Sequence, residues 1–226
     1  SGSERMREVV NKKLATEEIF AAARYAREGG LTGLKLYGMV GLPTEDDGDV
    51  EATAQLLLAL KKATPGLRLS LGVSTFVPKA HTPFQWQGVR PEAEKRLKLL
   101  SKRLKPRGIE LRPESYGWSV IQALLSRSDR RLAPVIAAVR GSQESLGGWK
   151  QAYRAVSGGQ AGRDARPEGI RTAPPPPPWG EVVQEGWDSR RVLPWDHLLG
   201  PLPRETLLRH RDAALDSPAA ATLADR

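Results

Sequence analysis

The stretch Leu34-Lys-Leu-Tyr-Gly-Met-Val-Gly-Leu-Pro-Thr-Glu-Asp-Asp-Gly-Asp49 decides how this chain is read. Leu34 to Val40 is almost continuously apolar, with Lys35 its only charge. A strand covered on both faces has that pattern, which favours a parallel sheet. Gly41-Leu42-Pro43 then breaks the strand, and Thr44 followed by Asp47 has the form of a capping box opening a helix. Val50, Ala54, Leu57, Leu58 and Leu60 carry that helix amphipathically to Pro65-Gly66. Leu67 to Val77 is the next apolar run and ends at Pro78. Strand, helix and strand make a β-α-β unit, and in such units ligands collect at the carboxyl ends of the strands.

The same rhythm extends in both directions. Upstream, Ile19, Ala22, Ala23 and Ala26 recur at helical spacing between Thr16, a suitable N-cap, and Gly29-Gly30. Downstream, Pro91 opens a helix whose apolar residues are Leu97, Leu100 and Leu104 and which stops before Pro106. This is the pattern of an α/β sheet. After Ile109-Glu-Leu-Arg-Pro113 no strand pattern follows, and Trp118–Leu125, Arg131–Val139 and Trp149–Val156 read as helices. The expected organisation is an α/β part over 1–112, a helical extension over 113–157, a Gly/Pro-rich linker over 158–181 and a tail over 182–226. Pro174 to Pro178 in the linker suits extended polyproline, the tail holds a helix from about Pro203 to Leu215, and the last ten residues should fray.

Composition narrows the function classes. The 226 residues are 39% hydrophobic with 18 unevenly placed prolines, enough for a core but not for one spread over the full length. No apolar run approaches membrane-spanning length, and the N-terminus lacks the apolar segment of a signal peptide. The absence of cysteine removes any disulfide framework and fits a cytoplasmic protein. A net charge of +9 favours acidic partners such as nucleic acid, although a basic proteome produces the same balance.

Three segments together resemble radical S-adenosylmethionine (radical SAM) proteins: Ser1-Gly-Ser-Glu-Arg-Met-Arg-Glu-Val-Val-Asn-Lys12, Leu36-Tyr-Gly-Met-Val-Gly-Leu-Pro43 and Phe76-Val-Pro-Lys-Ala-His-Thr-Pro-Phe-Gln-Trp86. The likeness is to a subgroup whose full-length members often carry an N-terminal cobalamin-binding-like domain. Arg112-Pro-Glu-Ser-Tyr-Gly-Trp118 and Val192-Leu-Pro-Trp-Asp-His197 resemble the C-terminal extension of its cyanobacterial members. The resemblance implies the C-terminal part of a partial (βα)6 TIM-like barrel followed by a mostly helical extension. Ser1 to Arg5 would then lie after the fourth strand, with Leu34–Val40 the fifth and Leu67–Phe76 the sixth.

For the full-length protein the resemblance implies S-adenosylmethionine, reductively cleaved at a [4Fe-4S] cluster to start radical chemistry on an unknown substrate, and it also allows for cobalamin. The family's Cys-x3-Cys-x2-Cys loop has no counterpart here, so this chain alone is expected to be inactive. A fragment of such a barrel should also be marginally stable or aggregation-prone, because its sheet would lack the covering of the missing strands.

By the same resemblance, Gly41, Leu42 and Pro43 would bring backbone close to the adenine, a turn that equally serves as a plain strand-to-helix connection. Ser3 and Arg5 would reach the ribose and methionine parts, with Asn11 a weaker candidate, and the alternative is N-cap and first-turn chemistry at a helix start. Phe76 and Pro78 would stack beside the adenine or pack the barrel rim. His81 reads as a loop residue or substrate contact, since one histidine among Lys79, Thr82 and Pro83 offers no convergent metal ligands. No nucleophile-elbow spacing supports a hydrolase triad.

Helix 91–105 carries Lys95, Arg96, Lys98, Lys102, Arg103 and Lys105, a solvated face by default and an RNA-contacting one on the sharper reading. Trp118, Trp149, Trp187 and Trp195 read as anchors of the extension, and Glu45-Asp46-Asp47-Asp49 as acids favoured by a helix dipole. The competing function is a cysteine-free module that binds RNA or protein.

Overall fold

The strands β1 (Gly33–Val40), β2 (Arg68–Thr75) and β3 (Glu110–Pro113) form a parallel sheet in the order β1-β2-β3. The computed structural model of the chain describes residues 2–139, 145–158 and 174–216. Ser1, residues 159–173 of the expected linker and the last ten residues therefore lie outside the described residues. The described helices are α1 (Glu4–Val9), α2 (Thr16–Glu28), α3 (Asp47–Ala63), α4 (Glu92–Leu104), α5 (Tyr116–Arg127), α6 (Ala133–Val139), α7 (Leu146–Ser157), α8 (Trp179–Val183) and α9 (Arg204–Leu215). The chain has a mixed α/β fold built around a small parallel sheet. No described helix is long and apolar enough to cross a membrane.

The chain divides into two compact units, the first made of residues 2–76, 90–115 and 205–216. In its sheet Leu36, Leu71 and Leu111 stand side by side, as do Lys35, Ser70 and Glu110 one position earlier. Neighbours along a strand point to opposite faces. The row holding Leu69, Leu71, Val73 and Thr75 is buried, and α3 and α4 pack against the sheet. Those helices bring Val50, Ala54, Leu57 and Leu60, and Ala93, Leu97, Leu100 and Leu104, all buried at helical spacing.

The opposite row is open. It consists of Lys35, Tyr37 and Met39 on β1, Ser70, Gly72 and Ser74 on β2, and Glu110 and Arg112 on β3, with Tyr37 75% and Met39 37% exposed. This corrects the expectation that β1 is covered on both faces. Tyr37 and Met39 are apolar enough to extend the run in sequence, yet they lie on the uncovered side. No described strand pairs with the outer edge of β1.

Two helix starts also differ from expectation. Thr16 is the first helical residue of α2, and the N–H of Ala15 donates to Glu18 at 2.7 Å. The box that opens α3 is Asp46 with Asp49, whose side chains accept from each other's N–H at 2.9 and 3.0 Å. Thr44 cannot cap because it sits at φ 64°, inside the turn itself.

The second unit comprises residues 77–89 and 116–204. Here α5 packs on α7 and α8, and α6 on α7. Its core joins Val120, Ile121 and Leu124 of α5 to Val135, Trp149, Tyr153, Val182 and Val183. Within the segment expected as a linker, Pro174–Pro178 has no regular secondary structure and Trp179–Val183 is helical, with Val182 and Val183 buried. Tyr153 donates its hydroxyl to the Pro177 carbonyl and meets Trp179 edge-on at 5.2 Å. Residues 77–89 join this core through Val89 N–H to the Val183 carbonyl at 2.8 Å and Trp187 N–H to the Trp86 carbonyl at 2.7 Å. A Cβ on Gly88 would collide with the Gln184 carbonyl, so only glycine permits that approach. Of the four tryptophans expected as anchors, Trp149, Trp187 and Trp195 are buried in this unit and Trp118 is 53% exposed.

The two faces of the sheet predict opposite mutational costs. Leu71→Ala removes a fully packed side chain and should cost about 2–5 kcal/mol. Tyr37→Ser, on the open face, should change stability by no more than about 0.5 kcal/mol. Urea denaturation of the two variants checks the assignment, and equal losses would contradict it.

Candidate functional site

The carboxyl end of β1 runs into a turn several of whose backbone groups are engaged by charged side chains of the first unit. Gly41 sits at φ 79°, and a Cβ there would lie 2.9 Å from that of Ala93, so the turn needs glycine on both grounds. Its N–H donates to Glu45 Oε2 at 2.5 Å, and the same oxygen receives Arg96 Nη1 at 3.1 Å. Arg90 Nη1 reaches the carbonyls of Leu42 and Glu45 at 3.3 and 3.0 Å. Glu45 is only 2% exposed. Burial pushes its carboxyl up to about 7, against the opposing pull of the Gly41 N–H and the Arg96 guanidinium.

Ser3 and Arg5 converge on the first turn of α3. Ser3 caps α1 by accepting from Met6 N–H at 3.2 Å, and donates its hydroxyl to Asp49 Oδ1 at 2.6 Å. Arg5 Nε meets Asp49 Oδ1 at 3.1 Å, its Nη2 pairs with Asp49 Oδ2, and the same nitrogen reaches the Thr44 carbonyl at 2.9 Å. Burial opposes ionisation of Asp49, yet Arg5, Ser3 and the Asp46 N–H together hold its carboxyl below the usual range. The hydrogen bond to Asp49 correspondingly raises Arg5. Ser3 and Arg5 therefore do carry the helix-start chemistry weighed against ligand contact, and the partner of both is Asp49.

The remaining candidates separate. Leu42 and Pro43 are buried, and Phe76 extends the ladder beyond β2 by donating its N–H to the Val40 carbonyl at 2.8 Å. Asn11 is exposed at φ 52°, just past the end of α1, with its N–H on the Glu8 carbonyl at 2.8 Å. Asparagine is favoured at such left-handed helix ends, which gives Asn11 a structural reason of its own. Pro78 is buried in the second unit, where its carbonyl lies 3.5 Å from Ser126 Oγ. His81, at φ 57°, donates its N–H to Gln85 Oε1 at 2.9 Å. No group of three metal-ligating side chains occurs among the described residues.

Sequence reasoning missed Arg7, Arg90 and Arg96. Arg7 is 2% exposed and ties α1 to the next segment through the carbonyls of Gly2 and Leu14 at 2.8 and 2.7 Å and Thr16 Oγ1 at 2.6 Å. Arg96 reads from sequence as part of a basic face, but it falls in the buried stripe Ala93, Leu97, Leu100, and that position is the signal for its burial. Of the other cations on helix 91–105, Lys98 pairs with Glu94 and Arg103 with Glu51, while Lys95, Lys102 and Lys105 are exposed.

Two substitutions test the turn. The folded protein holds the Glu45 proton more tightly than the unfolded chain, whose glutamates titrate near 4.5, so stability should fall as pH rises from about 4.5 to 7, by up to about 3 kcal/mol. Glu45→Gln should flatten that slope in denaturant titrations across the same window. Asp49→Asn removes the nearer of the two carboxylates facing Arg5, leaving Asp46 at 3.6 Å, and should cost about 1–3 kcal/mol. A loss below about 1 kcal/mol, typical of an exposed pair, would contradict the assignment.

The chain is 35% identical over 133 residues to an uncharacterised protein of Methanocaldococcus jannaschii, a stretch covering 59% of this chain and 30% of that relative. The chain thus spans less than a third of the length of the curated relative it matches. No family model matches the chain. No solved structure matches it either.

Proposed function

We propose that this chain supplies the later strands of a partial (βα)6 radical SAM barrel, and that its part in the activity is to form one wall of an S-adenosylmethionine site. The observation that carries the reading is the one-sided sheet. Three parallel strands carry α3 and α4 on one face, while the other presents Ser70, Gly72 and Ser74 between Tyr37 and Arg112. An open sheet with helices on one face only, lined by small and polar residues on the other, has the construction of a barrel wall seen from inside.

The side chains refine the resemblance. Arg5 is neutralised by Asp49 and Ser3 is spent on Asp49 and the α1 cap, so their contribution is to shape the turn. The wall itself is then the strand-end backbone, Gly41-Leu42-Pro43 after β1 and Phe76 after β2. The cluster does not fit this chain. Three thiolates are needed to hold it and the sequence has no cysteine. Its ligands belong to polypeptide outside these residues, and no step of its chemistry is assigned to them. Substrate and any use of cobalamin also belong to the whole protein.

The coding sequence upstream should encode a Cys-x3-Cys-x2-Cys loop. The polypeptide that includes it, reconstituted anaerobically with iron and sulfide, should release 5′-deoxyadenosine from S-adenosylmethionine under reducing conditions. Absence of the three-cysteine loop sinks the proposal. This chain by itself should show no submicromolar affinity for S-adenosylmethionine in calorimetry. Salt-dependent RNA binding by the chain alone would favour the basic-module reading instead.

A further inference from the structure

α1 and α2 carry the chain from one end of the sheet to the other. Residues 2–5 sit at the carboxyl end of β1, where Gly2 donates its N–H to Thr53 Oγ1 of α3 at 3.0 Å and Arg5 reaches the Thr44 carbonyl and Asp49. From there α1 and α2 return the chain to Gly33, the amino end of β1, with α2 packed against α3. α3 makes the same journey between β1 and β2, and α4 between β2 and β3. In both of those crossovers a strand stands before the helix and runs parallel to the strand after it.

β1 is open where such a strand would lie. The carbonyls of Thr32 and Val40 accept from the N–H groups of Arg68 and Phe76 at 3.1 and 2.8 Å. Backbone groups of alternate residues point to the same side, so the N–H and C=O of Gly33, Lys35, Tyr37 and Met39 face away from β2. No described strand pairs with them. A free edge of eight residues is a template for another strand. The packing is unfinished on the same side. Leu69 and Leu71 of β2 are 3% exposed, whereas Leu34 and Leu36 of β1 and Ile19 and Phe20 of α2 are only half-buried, and Tyr25 is 63% exposed.

We infer that the outer edge of β1 binds a parallel strand from the polypeptide that precedes these residues in the longer protein. That strand should be apolar on the side facing the helices and small or polar on the side shared with Tyr37. Handedness selects this edge. A strand there gives the α1–α2 connection the same hand as the crossovers through α3 and α4, and β2 already holds the other side of β1. A twofold pair of copies of this chain would instead set β1 antiparallel to its mate, against the parallel order of the sheet. A flat α/β sheet would take the same strand as a barrel wall, so the assignment does not rest on the S-adenosylmethionine site.

Amide hydrogen exchange followed by NMR on the longer polypeptide tests this. The Lys35, Tyr37 and Met39 amides should exchange within about tenfold of those of Leu36 and Gly38, which face β2. Proline placed at alternate positions among roughly ten residues preceding Ser1, the span of one strand and a short loop, should speed exchange at Lys35, Tyr37 and Met39 by about 100-fold while Leu36 and Gly38 stay protected. Exchange about 100-fold faster at Lys35, Tyr37 and Met39 than at Leu36 and Gly38 in the unaltered polypeptide would overturn the inference, with no variant whose folding is in question. So would protection that vanishes on dilution, which assigns the edge to a second copy, or protection that survives every proline in folded variants, which assigns it to another segment. Absence of the three-cysteine loop would leave each of these outcomes unaffected.

Discussion

β1 can end where it does because the Glu45 carboxylate closes the turn behind it. The Gly41 N–H donates to a side chain four residues on, and that side chain also receives a guanidinium from α4. Arg90 secures two carbonyls of the same turn, Leu42 and Glu45, which the strand and the helix leave unused. The next carboxylates continue the chain of dependence, with Asp46 and Asp49 capping α3 and Asp49 gathering Ser3 and Arg5 from α1. One turn thus couples β1, α1, α3 and α4 through buried or half-buried charges. In such a network each partner's burial is tolerable only while the others remain.

That dependence explains which parts of the molecule could be read from sequence. The apolar runs Leu34–Val40 and Leu67–Val77 and the stripes of α3 and α4 are local signals with a period, and they yield the α/β core. β3 is four residues long with only Leu111 buried, too short for alternation to emerge. Glu45 and Arg96 are 51 positions apart, and charged residues read as solvated unless a partner is known. Gly41-Leu42-Pro43 was legible as a turn for reasons of backbone freedom, while what the turn serves was not. Asn11 shows the converse, a residue picked for its polarity whose conformation gives it a local purpose.

The open face of the sheet bears on function through the size of its residues. A third layer of helices would need Leu, Ile or Val on that face to interlock with. The β2 row offers Ser70, Gly72 and Ser74, while Lys35 lies over the Tyr37 ring at 4.7 Å and Arg112 pairs with Glu110 at 2.8 Å. The Tyr37 ring and the Lys35 side chain lean over Gly72 on the middle strand, where a Cβ would come within 3.3 Å of the ring. A face of that polarity suits the polar inside of a barrel better than an apolar layer. This is why the one-sided sheet, more than the individual residues first singled out, carries the functional proposal.

The arginines make the same distinction by their partners. Arg5, Arg7 and Arg96 all enter low-dielectric surroundings, and each meets carboxylate or carbonyl oxygens within 3.2 Å. Such cations are consumed by the fold, and a ligand would have to displace an internal acceptor to use them. Arg127 is as deeply buried as Arg7 but has a ring face and one carbonyl in place of an acceptor set. The fold employs that guanidinium through the Trp187 ring and the Glu185 carbonyl, and an apolar residue in its place would forfeit both contacts.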